Sequence, residues 1–224
     1  MKMPFTTEQF LDVFKNYNTA IWPTQLVFYI FAIATIFLCL KKNQYSDRII
    51  SFVLSFLWLW MGIVYHLLFF TAINKAAFVF GGVFILEGLL FFYFGVIKQK
   101  ISFGFQTWVS GITGAALLSY ALVVYPILGY LQGHIYPSAP TFGLPCPTTI
   151  YTFGLLLWTT RKNPLAIVII PILWAAVGFS AALSLGIKED IGLLVSVVVF
   201  LLIILFRFKG HHPTAGENVL AIKH

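Results

Sequence analysis

The stretch "TFGLPCPTTIYTFGL", Thr141–Leu155, decides the fold. It holds a cysteine between two prolines, and Thr-Phe-Gly-Leu stands on either side, eleven residues apart. Proline blocks regular helix, yet it suits the first turn of a helix, where a missing N–H does no harm. Read as loop throughout, the stretch leaves six apolar spans in the chain. Read as a loop that becomes a helix at Pro147, it opens a seventh.

Composition sets the solvent first. Of 224 residues, 60% are hydrophobic and 9% are charged, with a mean hydropathy of +0.92. A soluble domain carries about 25% charged residues. The chain therefore reads as an all-α polytopic integral membrane protein whose first partner is the lipid bilayer. Its net charge of +7 does not point to nucleic acid, because the basic residues lie in short loops without a basic stripe or an aromatic RNA-reading motif. The N-terminal "MKMPFTTEQFLDVFKNYN" carries acids and lacks an apolar core, so it is not expected to be a signal peptide.

At roughly 17–25 residues per crossing, the expected transmembrane helices are 22–40, 49–70, 76–97, 106–131, 147–160, 164–186 and 190–206. "KKNQYSDR", "KQK", "RK" and the pair Arg207 and Lys209 follow the first, third, fifth and seventh spans. The loop 132–146 has no Lys or Arg. The positive-inside rule then puts the N-terminus outside and the C-terminus in the cytoplasm. An even number of spans breaks this alternation, so the opening stretch is expected to contain a helix start. Cys39 and Cys146 fall on opposite faces, which excludes a disulfide between them.

The expected organisation is an outer-surface amphipathic helix over 1–21, a seven-helix domain over 22–206 and a mobile cytoplasmic tail over 207–224. Thr6 and Gln9 have capping-box spacing, and Phe10, Phe14, Tyr17 and Ile21 recur near helical spacing. In the tail, His211 and His212 read as solvated rather than metal-binding.

Ionisable residues inside spans are costly and are functional candidates by default. His66 lies about one turn below the outer surface, and Glu87 lies near the midplane. Their depths differ by roughly 10 Å, so direct contact is not expected. For His66 the plainer reading is a bond to a backbone carbonyl, and for Glu87 a protonated carboxyl bonded to a neighbouring helix. Tyr65 is expected on another helix face as an interface aromatic, and Asn74 as a turn residue. The proline-rich loop "LQGHIYPSAPTFGLPCP" is too apolar for a floppy linker and reads as a lid or re-entrant segment. It would bring His134, Tyr136 and Cys146 over the outer mouth near His66, with Thr148 just below. Glu189 and Asp190 read as helix caps. Ser110, Gly111, Gly114 and Ala115 form a small-residue face for close helix approach.

A weak internal echo pairs "PTQL" at Pro23 with "PTTI" at Pro147, "KKN" with "RKN", and "LWLWMG" with "LWAAVG". It suggests a 3+1+3 arrangement in which Pro23 and Pro147 are matched helix breaks, the places where repeat transporters hold substrate.

Several stretches together, "MPFTTEQFLDVFKNYN" with "IWPTQ", "WMGIVYHLLFFTAIN", "ALVVYPILG" and "HIYPSAPTFGLPCPTTIYTFGLLL", carry a resemblance. The chain resembles a family of uncharacterised bacterial integral membrane proteins, a domain-of-unknown-function family, from Met3 to about Val199. The resemblance implies the bacterial inner membrane and supplies no catalytic residue or cofactor.

Four functions fit the residues. The leading one is transport or binding of a small solute or ion at a site open to the outer face, with His66, Glu87, His134, Tyr136, Cys146 and Thr148 as candidate ligands. An intramembrane enzyme would use Cys146 with His66 or His134 as base. Soft-metal handling would use Cys146, His134 and His66, a thin ligand set. A non-catalytic scaffold, alone or in an oligomer, needs no site. No cofactor is assigned.

Overall fold

The computed structural model describes residues 4–105 and 108–209. Helix α1 is Thr7–Ile21, α2 is Thr24–Leu40, α3 is Ser46–Ala72 and α4 is Ala77–Ile97. Helix α5 is Trp108–Leu131, α6 is Pro145–Leu157 and α7 is Ala166–Leu185. A 3-10 turn over Lys188–Asp190 leads into α8, Ile191–Lys209. Among the described residues, pairing outside helices is limited to two isolated bridges, Phe103 with Thr159 and Phe142 with Leu144. The expected tail lies almost wholly outside the described residues.

Among the described residues, five helices are long and apolar enough to cross a membrane: α3, α4, α5, α7 and the segment Lys188–Phe206. Helices α1 and α2 pass the same test only as a bent pair, with 86° between them. Helix α6 is short because it begins at Pro145 and stops at Leu157, 13 residues or about 20 Å. Both prolines sit in its first turn, so Pro145 starts the helix rather than ending the lid. Apart from Cys146, every residue of α6 is buried. A helix walled in by protein on all sides need not match the bilayer thickness.

The helix ends gather at two poles. At one pole, Lys42 Nζ meets Asp47 Oδ1 at 3.0 Å, and the Phe103 N–H and the Ser102 hydroxyl donate to the same carboxylate. The Gly104 N–H donates to the Trp158 carbonyl at 2.7 Å, and the Thr160 N–H donates to Ser102. The basic loops after α2, α4 and α6 are thus laced together. At the other pole lie α1, the loop 132–144 and the turn 186–190. Helices α2 to α8 alternate in direction between these poles.

Small residues set the closest helix crossings. A Cβ on Gly114 would fall 2.9 Å from the Gly154 carbonyl, and one on Gly154 would fall 3.1 Å from the Gly114 carbonyl. This is the predicted small-residue face of α5, packed on α6. A second close crossing joins α3 to α4: a Cβ on Gly88 would meet the Leu59 nitrogen and the Ser55 carbonyl, each at 2.9 Å. Large apolar side chains such as Ile30, Ile33 and Phe37 on α2 remain exposed, an outer surface suited to lipid.

Candidate functional site

The pole opposite the basic loops is built from irregular backbone. Helix α3 widens into a π-helix over Met61–Phe69, and α5 does so over Tyr120–Val124. One extra residue in a turn rotates everything after it by about 100°, which re-aims side chains. The first π segment turns Tyr65 inward, where it is 2% exposed against Tyr17 and Phe70. Tyr65 is therefore not the interface aromatic expected from sequence. The second π segment delivers Tyr125 to the same interior.

These elements enclose a cavity of about 320 Å³. Tyr65, Phe70, Phe80 and Trp174 supply aromatic wall, and Phe10 and Phe14 of α1 close one side. Helix α7 makes room with small residues: a Cβ on Gly178 would stand 3.6 Å from the Cys146 sulfur. At the base lie Cys146, Tyr125 and Asp190. The Tyr125 hydroxyl donates to Asp190 Oδ1 at 2.5 Å, and the Cys146 thiol lies close enough to the same carboxylate to interact with it. Asp190 is 5% exposed.

Beside this base, Glu189 turns to the other side of the chain. Its Oε1 is 2.6 Å from His134 Nδ1, and Gly129 leaves the space its carboxylate occupies. Both acids expected to cap α8 are therefore engaged elsewhere. The ring donors on α5 and in the loop after it reach them first.

The loop 132–144 is clamped by one buried amide. Asn18 Nδ2 donates to the carbonyls of Pro137 and Ala139, at 2.6 and 2.8 Å. Its Oδ1 accepts from the Thr141 hydroxyl at 2.8 Å. The Tyr17 hydroxyl donates to the Gly143 carbonyl. Gly143 has φ of +100°, and a Cβ there would fall 2.3 Å from the Phe28 ring, so glycine is required for both reasons. These contacts fasten the loop against α1 and α6.

The candidates from sequence scatter around the cavity. Cys146 lines it. His66 stands one layer behind, its ring 5.3 Å from Trp174 and 4.6 Å from Phe84, with no described protein group bonded to either nitrogen. Glu87 is fully buried in α4, likewise without a described protein partner, and is not in contact with the cavity. His134 is held by Glu189. Tyr136 is half exposed, with its hydroxyl donating to the Asn18 carbonyl at 3.4 Å. Thr148 accepts the Gly143 N–H at 3.1 Å and so fastens the lid to α6. Pro23 stands at the bend between α1 and α2, and Pro147 lies in the first turn of α6. Among the described residues, no three of His, Cys, Asp and Glu come close enough to hold a metal ion. Cys39 and Cys146 are both free and lie at opposite poles.

The chain belongs to DUF6064. This is a family of unknown function, and its match spans residues 7–212. No curated protein and no solved structure matches the chain. The DUF6064 match takes in all eight helices and every cavity residue except Pro4 and Phe5. Sequence reasoning on this DUF6064 chain missed Asp190, Tyr125, Trp174 and Asn18. The visible signal for Asp190 was an acid pair in "GIKED" pressed against apolar sequence on both sides.

Proposed function

We propose that this protein crosses the bacterial inner membrane seven times, with α1 on the outer surface and the C-terminus in the cytoplasm, and binds a small solute in the cavity at its outer end. The observation that carries this reading is the cavity itself. It lies at the pole opposite the laced basic loops, beside the lid and the π segments, with Asp190, Cys146 and Tyr125 among a mostly apolar lining. Concave, mostly apolar sites with a few convergent polar groups are the usual form of a small-molecule site. The alternation of α2 to α8 supports the two short helices, α2 and α6, as crossings beside the five long ones. Uptake of the solute toward the cytoplasm is the transport form of the same proposal.

An enzymatic use of Cys146 finds no support in its surroundings. His134 is paired with Glu189, and neither nitrogen of His66 bonds a described group. Among the described residues, no His contacts the thiol; its polar neighbours are Asp190 and Trp174.

Single-cysteine proteins test the reading. In a background lacking Cys39 and Cys146, Lys75→Cys is expected to react with a membrane-impermeant maleimide in intact cells, and Lys100→Cys only after permeabilisation. Restoring Cys146 alone is expected to give labelling from outside. Labelling of Lys100→Cys in intact cells would overturn the orientation, and an inert Cys146 would overturn the open cavity.

A further inference from the structure

We infer that the occupant of the outer cavity is a small organic cation, an ammonium group carrying apolar substituents. The inference rests on the cavity being a solute site open to the outer face, and it adds the charge and class of the solute.

Three observations converge. First, Asp190 lines the cavity at 5% exposure, and its hydrogen-bond partners are the Tyr125 hydroxyl and the Cys146 thiol, neither of them a cation. The Lys42–Asp47 ion pair and the His134–Glu189 contact both leave Asp190 out. A carboxyl in apolar surroundings either holds a proton or is met by a counter-charge, and no described residue of the chain supplies that charge to Asp190. Second, among the described residues no Lys or Arg lines the cavity. The neighbouring carboxylate of Glu189 is turned away from Asp190 and bonds His134 Nδ1 at 2.6 Å. Third, the wall above Asp190 is aromatic, with Tyr65, Phe70, Phe80 and Trp174 presenting rings to the enclosed space. Aromatic faces attract cations, and cages of them suit alkylated ammonium groups that cannot be fully hydrated. The volume of about 320 Å³ stands at the small end of ligand sites and fits a compact molecule.

Cys146 makes the test direct, because its sulfur lies at the base beside Asp190. In Cys39→Ala protein, in right-side-out vesicles, Cys146 is reacted with two methanethiosulfonates of similar size. One carries a trimethylammonium group and the other a sulfonate. Each rate is divided by the rate of the same reagent with a free thiol. The cationic reagent is expected to react roughly 10- to 1,000-fold faster, the range over which clefts of one charge sign enrich their counter-ions. Asp190→Asn, which keeps the acceptor for Tyr125, is expected to collapse that ratio toward one.

A normalised ratio near one in the parent protein overturns the cation inference while leaving the open cavity intact. No reaction with either reagent overturns both. A high ratio unchanged in Asp190→Asn removes Asp190 as its source and overturns the inference as argued. Should that variant fail to accumulate, tetraethylammonium chloride is expected to slow the reaction of Cys146 with neutral methyl methanethiosulfonate, where equimolar sodium chloride does not. Equal rates in the two salts overturn the inference.

Discussion

Asn18 is fully buried, and its side chain makes three hydrogen bonds to the lid besides a longer one accepted from Gln25 Nε2 of α2. Asn18→Ala deletes all three. At a net worth of about 1 kcal/mol each, the lid loses about 3 kcal/mol relative to its open state. That is roughly a 100-fold rise in the open population, at about 1.4 kcal/mol per decade. Asn18→Asp is the sharper variant. It keeps the size of the side chain but sets a carboxylate oxygen against two carbonyls that now sit 2.6 and 2.8 Å from the donor nitrogen. It is expected to open the lid at least as far as alanine does. Chymotrypsin added from outside reports the opening through cleavage after Phe142. That ring is 2% exposed and packed against Tyr29 and Tyr151, so it is cut only when the lid lifts. Where opening is fast, the cleavage rate follows the open population. Rates within about threefold of the parent in both variants would correspond to less than roughly 1 kcal/mol. That result would refute the clamp.

Three further outcomes follow from the same geometry. Gly88→Ala is expected to cost about 1–3 kcal/mol, since its Cβ meets backbone atoms that cannot swing aside, while Gly82→Ala meets nothing within 4 Å and is expected to be neutral or slightly stabilising; thermal unfolding in detergent micelles separates them, and equal midpoints would refute the close crossing of α3 and α4. His66→Phe removes two ring nitrogens without a described protein partner and is expected to raise stability by about 1–2 kcal/mol in the same assay; a fall would show that those nitrogens are satisfied in the folded protein. Asp47→Ala frees Lys42, Ser102 and the Phe103 N–H together and is expected to cost about 2–4 kcal/mol, read as faster trypsin cleavage at the basic loops; unchanged cleavage would refute the lacing of that pole.

The membrane helices were legible because a long apolar run leaves few alternatives. The helix edges fall close to the predicted ones, from Ser46–Ala72 against 49–70 to Ala77–Ile97 against 76–97. Local chemistry read equally well. Thr6 and Gln9 form the capping box, and Asn74 turns the chain through the Ala76 N–H. The small-residue face at Gly111 and Gly114 packs where its spacing implied. The site read poorly, for a physical reason. A π turn has no composition of its own, so "WMGIVYHLLFF" looks like ordinary helix, in which neighbouring Tyr65 and His66 belong on different faces. That reading sent Tyr65 outward. Asp190 was misread because an acid just before a helix has a sound local use, and only the arrival of Tyr125 from α5 redirects it.

The broken helices and the cavity have one cause. In the proposed seven-crossing arrangement, α6 supplies about 20 Å from its 13 residues where a crossing of the hydrocarbon core takes about 30 Å. The missing third lies at the pole where Pro145 begins, so its volume must be filled by something other than helix. The lid roofs it, α1 bends across its side, and the two π segments lean aromatic side chains into it. What remains unfilled is a space of about 320 Å³, equal to a cube with an edge of about 7 Å. Exposed backbone at that depth is tolerated only under protein cover, and Asn18 and Thr148 supply that cover by bonding the lid's carbonyls and an N–H. Pro145 and Pro147 are thus more than a helix start. They shorten the central helix, and Cys146 between them marks the floor of the space the shortening creates.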